Sequence, residues 1–321
     1  MLPQVHREFA QTHGQVPGGE FCVLALGKLG ARELTPTSDL DLVFLYRMPE
    51  AVDQSDGAKP LPPSLYFQRL GQRLIAALTV LTAAGELYQV DMRLRPTGNK
   101  GPVACSLDSF TTYQTEEAWT WEHMALIRAR TVAGDAGLCA AVRAVRTAIL
   151  TRPRDAGLIL ADVSDMRARI AKERPGSGAF DVKDRPGGLL DIEFIAQGLI
   201  LATVAPGAAH LPEDLGNTLT ALHWLMAQGA LPQEAGEILL HACRLWQRLQ
   251  VLLRLAGTGK FDPTTAPEGM RRALVHAAGV LDFSALEQEM NDTAIRVRQL
   301  LTEFIDAPAQ RPAPPEGDAR P

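Results

Sequence analysis

The sequence predicts an α+β protein in which a small unit with a mixed sheet precedes an all-helical unit. Two patterns favour this fold class. Short apolar runs bounded by glycine and proline fall within the first ~100 residues, whereas apolar residues at helical spacing fill the chain from Asp108 onward. The length of 321 residues also suits about two domains of roughly 150 residues each.

The first unit is predicted to span residues 21–150 and to follow a polar lead-in at residues 1–20. Apolar runs between turn-forming residues indicate strands, and apolar residues three and four positions apart indicate helices. The elements predicted around the sheet are strands at 21–26, 39–46 and 87–95, a tight turn at 27–30 and a helix at 66–84 that ends at Gly85.

Helical periodicity dominates the rest of the chain, and a helical-bundle unit is predicted for residues 151–306. The predicted helices lie at 108–117, 120–130, 135–150, 157–173, 190–204, 214–228, 233–256, 268–278 and 284–306. A glycine-rich segment at 176–188 interrupts them. Residues 307–321 have too little apolar content to fold and are expected to be a disordered tail.

Composition limits the classes of function. The formal net charge of −5 argues against a protein that binds the nucleic-acid backbone, because such a protein needs a basic face. The four cysteines are far apart and form no Cys-x-x-Cys pair, so each is expected to be a small buried apolar residue in a reducing compartment. The N-terminus lacks an apolar signal core, and no run of about 18 apolar residues occurs. We therefore expect a cytoplasmic protein that contacts neither nucleic acid nor membrane.

Three acidic residues of the first unit are candidate metal ligands. Asp39 and Asp41 stand two apart on a predicted strand, so both carboxylates project to the same face. Two carboxylates held this close repel each other, and a divalent cation such as Mg²⁺ relieves that conflict. Asp91 lies on the third predicted strand and would supply a third carboxylate. Such a set is typical of a two-metal site for in-line phosphoryl displacement.

Basic residues and glycines near these acids are candidate phosphate contacts. Arg93 and Arg95 follow Asp91 at a two-residue period, which predicts one shared strand face. Gly27 and Gly30 would let backbone N–H groups approach a phosphate, and Lys28 would add a charge. Each feature alone is more often structural: a solvated acid pair, a plain turn or a salt-bridged strand face. Their combination in this order favours a nucleotide site.

The motifs carry a family resemblance. The series Gly27-Lys28-Leu29-Gly30, Glu33-Leu34 and Ser38-Asp39-Leu40-Asp41-Leu42 resembles the signature of polymerase-β-like nucleotidyltransferases, and more closely that of glutamine synthetase adenylyltransferases. The later segments that match the same family are Val90-Asp91-Met92-Arg93-Leu94-Arg95-Pro96 with Gly98, and Lys183, Gly187-Gly188 and Asp191-Ile192-Glu193-Phe194 with Gln197. The resemblance runs from about residue 20 to residue 306.

The resemblance implies an Mg²⁺-dependent enzyme that moves AMP from ATP to a tyrosine hydroxyl of glutamine synthetase, in control of nitrogen assimilation. It implies that Asp39 and Asp41 bind Mg²⁺ and that Asp91 holds a second metal ion and helps to deprotonate the acceptor. The residues it places along the triphosphate are Gly27, Lys28, Gly30 and Ser38. Arg93 and Arg95 are left with two alternatives, a phosphate contact or a fold-stabilising one.

Family members carry two such halves on a longer chain, one attaching AMP and one removing it. Two segments resemble the C-terminal half, which attaches AMP: Phe180-Asp181-Val182-Lys183 and Asp191-Ile192-Glu193. Only one half is present here, without the central regulatory helices, so regulation by glutamine and a PII signalling protein is left open. The residues expected near a nucleotide cleft are Lys183, Arg185, Asp191 and Glu193. For Asp191 the alternative is a stabilising position in the first turn of a helix.

Two other functions compete with this interpretation. One is a nucleotidyltransferase of the same fold with another acceptor, and the other is a non-catalytic regulatory fragment. The presence of all three acids argues against the regulatory fragment. The segment Gly257-Thr258-Gly259-Lys260 resembles part of a phosphate-binding loop but has Arg254 where that motif has its first glycine. It is predicted to be a helix end and a turn.

Overall fold

The structure, a computed structural model, describes residues 1–83, 85, 86, 88–257 and 261–310. The chain forms two compact units. The first unit contains Met1–Arg152 together with Gly207–Asn217, and the second contains Pro153–Pro206 and the chain from Thr218 on. Residues 258–260 of the loop-like motif and residues 311–321 of the expected tail lie outside the described residues, so both predictions stay untested there.

A mixed sheet organises the first unit, as predicted. Its strands are β1 (Glu20–Ala25), β2 (Leu40–Arg47), β5 (Val90–Asp91), β6 (Ala104–Ser106) and β7 (Arg130–Gly134), and a separate hairpin is formed by β3 (Leu81–Thr82) and β4 (Gly85–Glu86). Strand β1 is antiparallel to both β2 and β7. The free edge of β2 pairs in parallel with β5 at its beginning and with β6 near its end.

Helices cover both faces of this sheet. They are α1 (Leu2–His13), α2 (Gly27–Gly30), α3 (Pro63–Leu78), α4 (Leu107–Glu116), α5 (Thr120–Ile127) and α6 (Ala136–Leu150), with a 3₁₀ turn at Gly98–Lys100. On one face Phe67 of α3 stacks on Tyr46 at 4.7 Å and lies 6.1 Å from Phe21, measured between ring centroids. On the other face Cys22 contacts Cys139 of α6, with 3.6 Å between their sulfurs. Burial on both faces explains why β1 and β2 read as continuous apolar runs.

Most of the polar lead-in expected at residues 1–20 forms α1, a helix that was not predicted. Leu2, Val5 and Phe9 lie at helical spacing within the polar sequence and pack against the core of the first unit. The Phe9 ring lies 5.0 Å from that of Tyr66, whose hydroxyl donates to the Gly14 carbonyl at 2.9 Å. These three side chains dock the helix on the existing core.

Several predicted boundaries near the sheet also differ. The helix predicted at 66–84 ends at Leu78, and Gly85 belongs to the β3–β4 hairpin. The strand predicted at 87–95 ends at Asp91, because the chain turns before reaching Pro96. The helix predicted at 120–130 ends at Ile127, and β7 follows where no strand was predicted.

The second unit is helical in its described part, as predicted. Its helices are α7 (Ala156–Glu173), α8 (Leu189–Thr203), α9 (Thr218–Ala227), α10 (Gln233–Leu255), α11 (Glu268–Ala278), α12 (Phe283–Leu301), a π-helical turn at Thr302–Asp306 and α13 (Ala307–Ala309). The helix predicted at 214–228 starts only at Thr218, because the residues before it belong to the first unit. α13 occupies the start of the segment expected to be disordered.

The predicted burial of the four cysteines is confirmed, and their thiols are free. Within the described part of the chain, no helix combines the length and the apolar content that a membrane span requires.

Candidate active site

Strand pairing brings two of the three predicted acids together. β2 and β5 run parallel, with Leu40 beside Val90 and Asp41 beside Asp91. Paired residues on neighbouring strands project to the same face, so both carboxylates lie on one side of the sheet edge. Asp39 lies one residue before β2, next to this pair. Leu40 is almost fully buried on the opposite face, which fixes the register of the strand.

The three acids influence one another electrically. The pKa of Asp41 is raised to about 6, first by burial and then by the negative charges of Asp91 and Asp39. Arg128 and Arg93 lower it, but by less. Asp41 therefore carries the like-charge conflict that a bound cation would relieve.

Arg93 engages Asp91 directly. Its guanidinium contacts both carboxylate oxygens, and its backbone N–H donates to Asp91 Oδ1 at 2.8 Å. These hydrogen bonds are the main reason that the pKa of Asp91 is lowered. The Arg93 side chain is otherwise 73% exposed, so the ion pair lies at the surface.

The predicted strand face shared by Asp91, Arg93 and Arg95 is wrong. The strand ends at Asp91 and the chain turns, so the two-residue period no longer selects a face. Arg95 donates instead to the backbone carbonyls of Met92 (2.8 Å), Asn99 (3.2 Å) and Gly101 (3.2 Å). Arg95 thus holds the loop after β5 together, which is the fold-stabilising alternative.

The donor chemistry of this edge fits a hard divalent cation. The described residues contain no three His, Cys, Asp or Glu side chains already gathered as a metal site. Arg93 occupies both oxygens of Asp91 in this arrangement. Asp39, Asp41 and Asp91 nevertheless offer carboxylate oxygens, the ligands that Mg²⁺ prefers, and their mutual repulsion favours a cation.

A glycine turn lies directly against Asp41. Gly27 has a φ of +50°, and a Cβ at this position would overlap Oδ2 of Asp41. The Leu26 N–H donates to the Asp41 carbonyl at 2.9 Å, which joins the turn to β2. Only glycine permits both the left-handed backbone and this close approach.

We expect Gly27→Ala to disturb the acids as well as the backbone. An alanine at positive φ costs about 1 kcal/mol of folding free energy, and the overlap with the Asp41 carboxylate adds to that. The matched control is Gly229→Ala, since Gly229 has a φ of +72° with nothing within 4 Å of its added Cβ. Urea unfolding should show a clearly larger loss for Gly27→Ala. Equal losses would mean that the approach to Asp41 does not matter.

Ser38 and Lys28, both predicted at the triphosphate, are tied to the loop before β2. The Ser38 hydroxyl accepts from the Thr35 N–H at 3.0 Å and lies 2.8 Å from the Thr35 hydroxyl. Lys28 Nζ donates to the same hydroxyl at 3.5 Å. Thr35 therefore anchors both residues beside the turn at Gly27.

The sequence interpretation missed Arg128, which braces this turn. Its Nε donates to the Gly27 carbonyl at 3.2 Å, and Nη2 forms an ion pair with Glu33 at 2.6 Å. Both side chains are less than a tenth exposed. Glu33 was noted as part of the family motif, and a buried acid needs a cationic partner. The burial of Glu33 is known only from the structure, so no signal in the sequence pointed to Arg128.

The pH dependence of folding stability should reveal the raised pKa of Asp41. Because its folded pKa of about 6 exceeds the unfolded value, the folded protein binds the extra proton, and this stabilisation is lost as pH rises from about 4 to about 7. Relative to Asp41→Asn, we expect the wild type to lose about 1–2 kcal/mol of unfolding free energy over that range in EDTA, after allowance for solvent screening. Urea unfolding of both proteins at each pH measures this difference. A pH-independent difference would contradict the raised pKa.

The four residues predicted near a cleft all lie in the second unit. Asp191 is fully buried in the first turn of α8 and accepts from Arg167 Nε (2.5 Å) and the Gly187 N–H (2.7 Å). Arg185 donates to the Ala179 carbonyl at 2.7 Å and to Asn291 at 3.1 Å. Both residues hold the second unit together, which agrees with the structural alternative for Asp191. Lys183 and Glu193 are half-buried, and their cleft role stays a prediction.

The chain matches two family models. The family model described as glutamate-ammonia ligase adenylyltransferase matches residues 1–145, including the segment that forms α1. The model described as GlnD PII-uridylyltransferase matches residues 162–305. Both descriptions are of enzymes that transfer nucleotidyl groups, and the chain is therefore placed in the nucleotidyltransferase class.

Curated relatives make the assignment more specific. The bifunctional glutamine synthetase adenylyltransferase/adenylyl-removing enzymes of Mesorhizobium japonicum and Rhizobium meliloti are each 45% identical to this chain, over 93% and 95% of its length. The enzyme of that name from Rhodopseudomonas palustris is 45% identical over 94%. The chain belongs to this family, and the resemblance seen in the sequence is confirmed. The chain spans about 30% of the length of these relatives.

Proposed function

We propose that this chain transfers AMP from ATP to a tyrosine hydroxyl of glutamine synthetase, releasing pyrophosphate, with Mg²⁺ as its cofactor in the cytoplasm. The observation that carries the proposal is the in-register pairing of Asp41 with Asp91, together with the effect of Asp39 on the Asp41 pKa. The names of the 45% identical relatives supply the acceptor.

Three carboxylates would hold the cation: those of Asp39, Asp41 and Asp91. When bound, Mg²⁺ neutralises charge on the ATP phosphates and on the departing pyrophosphate. For Asp91 to take part, Arg93 must exchange its contacts with that carboxylate for other partners. A phosphate oxygen is a suitable exchange partner, because a guanidinium binds phosphate in the same bidentate way.

The remaining work of this chain is positioning. The acceptor hydroxyl oxygen attacks the α-phosphorus, the bond to the pyrophosphate oxygen breaks, and the hydroxyl proton passes to the Asp91 carboxylate. The residues proposed to line the triphosphate are Gly27, Lys28, Gly30 and Ser38. Arg128 is a positioning residue, since it holds the turn that carries Gly27 against Asp41.

Removal of AMP is the second candidate, because the relatives are named for both attachment and removal. The same acids can serve removal, in which a phosphate oxygen attacks the phosphorus of tyrosine-linked AMP, ADP forms, and the tyrosine oxygen leaves and takes up a proton. The resemblance of Phe180–Lys183 and Asp191–Glu193 to the attaching half favours attachment.

A labelling experiment tests the proposal. The purified chain is incubated with Mg²⁺, ATP labelled at the α-phosphate, and unmodified glutamine synthetase. We expect label to appear on a tyrosine of the synthetase. Label on another acceptor would reassign the substrate, and absence of any label would favour a regulatory fragment. Release of label from adenylylated synthetase by inorganic phosphate, without attachment, would favour the second candidate.

Regulation is a separate part of the proposal. The chain spans about 30% of its relatives, so we propose that glutamine and a PII signalling protein act through sequence that those relatives hold outside this segment. Adding either effector to the labelling reaction should therefore leave the rate of this chain unchanged. A rate that follows glutamine concentration would place an effector site in this chain.

A further inference from the structure

A cavity lies within the first unit, and none of the three acids lines it. Its volume is about 600 Å³, within the usual range for sites that bind small molecules. The walls come from α6, the start of β7 and the segment Gly207–Leu211. The cavity is not part of the site proposed for AMP transfer.

The cavity is lined by cationic side chains from two sides. Arg32 and Arg130 lie on the sheet side, and Arg143 and Arg146 lie on α6. One acid, Glu213, also lines the cavity, but it is 68% exposed and stands 3.6 Å from Arg143. Four guanidiniums facing a single exposed carboxylate leave a strong excess of positive charge.

Two of these arginines are fixed in place by backbone carbonyls. Arg146, which is almost fully buried, donates to the carbonyl of Leu126 at 3.1 Å and to that of Ile127 at 2.6 Å. Arg130 donates to Gly30 at 3.1 Å and to Leu29 at 3.0 Å. These carbonyls orient the guanidiniums at the ends of short helices but do not neutralise their charge.

The environment of the cavity disfavours unpaired positive charge. Burial lowers the pKa of Arg146 to about 10, and Glu213 opposes that effect. The pKa of Arg130 is lowered by burial and then by the nearby charge of Arg32. A bound anion would reverse both effects.

Besides the four arginines, Glu213 and His210, the lining is apolar or carries hydroxyl groups. Leu24, Val142 and Leu211 supply aliphatic surface, and Thr131 and Thr147 supply hydroxyls. Inorganic phosphate would leave the aliphatic surface without a partner. A short carbon chain with an acid group at each end matches both the apolar walls and the two arginine pairs.

From this lining we infer that the cavity is a binding site for a small dicarboxylate, with one carboxylate between Arg32 and Arg130 and the other at Arg143 and Arg146. Guanidinium groups bind carboxylates in bidentate fashion, which gives each end of the ligand a defined partner. The site is independent of AMP transfer, and its test measures binding alone.

Calorimetric titration with succinate tests the inference, with inorganic phosphate and chloride as comparison anions. The variant is Arg143→Gln, because Arg143 is 46% exposed and makes one side-chain bond, at 3.3 Å to Thr131, besides the contact with Glu213. The control is Arg73→Gln on α3, an exposed arginine outside the cavity with the same loss of charge. We expect saturable succinate binding that weakens at least ~10-fold in Arg143→Gln and is unchanged in Arg73→Gln.

Three results would overturn the inference. They are absence of saturable succinate binding, equal weakening by both variants, and binding of phosphate but not succinate in an Arg143-dependent manner. Asp41→Asn serves as a further check, since it alters the acidic edge alone and should leave succinate affinity unchanged. Because no ATP or glutamine synthetase is present, failure here is distinguishable from failure of the proposed transfer.

Discussion

Asp41→Asn and Asp91→Asn are each expected to lower AMP transfer at least ~10²-fold. Each substitution keeps the shape of the side chain but removes one negative charge from the cation ligands, and charge neutralisation supplies most of the rate in phosphoryl transfer. Labelled-ATP transfer to glutamine synthetase measures the rate, and calorimetric titration with Mn²⁺ measures cation affinity. Both quantities should fall together, because the same oxygens serve both.

The control for that pair is Asp53→Asn, an exposed acid in the loop after β2 that loses the same charge. It should transfer AMP at the wild-type rate. If Asp41→Asn kept more than a tenth of the wild-type rate while Mn²⁺ affinity was unchanged, the acids would not be the metal ligands.

Arg167→Met is expected to destabilise the second unit by about 3 kcal/mol or more. Arg167 and Asp191 form a buried ion pair at 2.5 Å, with side chains 5% and 0% exposed. Removing the arginine leaves the Asp191 charge buried beside a single backbone donor, Gly187 N–H. Urea unfolding followed by helical circular dichroism measures the loss.

Arg169→Met is the matched control on the same helix. Arg169 pairs with Asp165 at 3.7 Å, and both side chains are 78% exposed, so its loss should cost under about 1 kcal/mol. The double variant Arg167→Met/Asp191→Leu should recover part of the stability, because no buried charge then lacks its partner. Equal losses for the two arginine variants would show that the buried pair adds nothing.

Local pattern was sufficient to predict the acids and most helices. Two carboxylates at alternate positions of an apolar run were predicted to share a strand face, but β2 begins at Leu40, so only Asp41 of that pair lies on the strand. The third acid was harder, since only the parallel register of β5 against β2 brings Asp91 beside Asp41. Register depends on the whole sheet and is not contained in either strand alone.

The errors have identifiable physical causes. The alternation of apolar and charged residues after Asp91 suggested a longer strand. The chain instead forms a loop, which Arg95 closes through hydrogen bonds to backbone carbonyls. Arg128 lies about a hundred residues from Gly27, so their contact could not be read from local sequence. The basic cavity escaped prediction for the same reason, because Gly207–Leu211 completes it from far along the chain.

The return of Gly207–Asn217 to the first unit has a consequence for how the protein is made. The Gly207 N–H donates to the Thr151 carbonyl at 2.9 Å, and Asn217 donates to the Ala31 carbonyl, 186 positions earlier. A nascent chain leaves the ribosome in order from its N-terminus. The sheet can therefore begin to form early, but the segment that completes the first unit emerges only after the first two helices of the bundle have been synthesised. Until then, the hydrogen bonds to Thr151 and Ala31 are absent from the first unit.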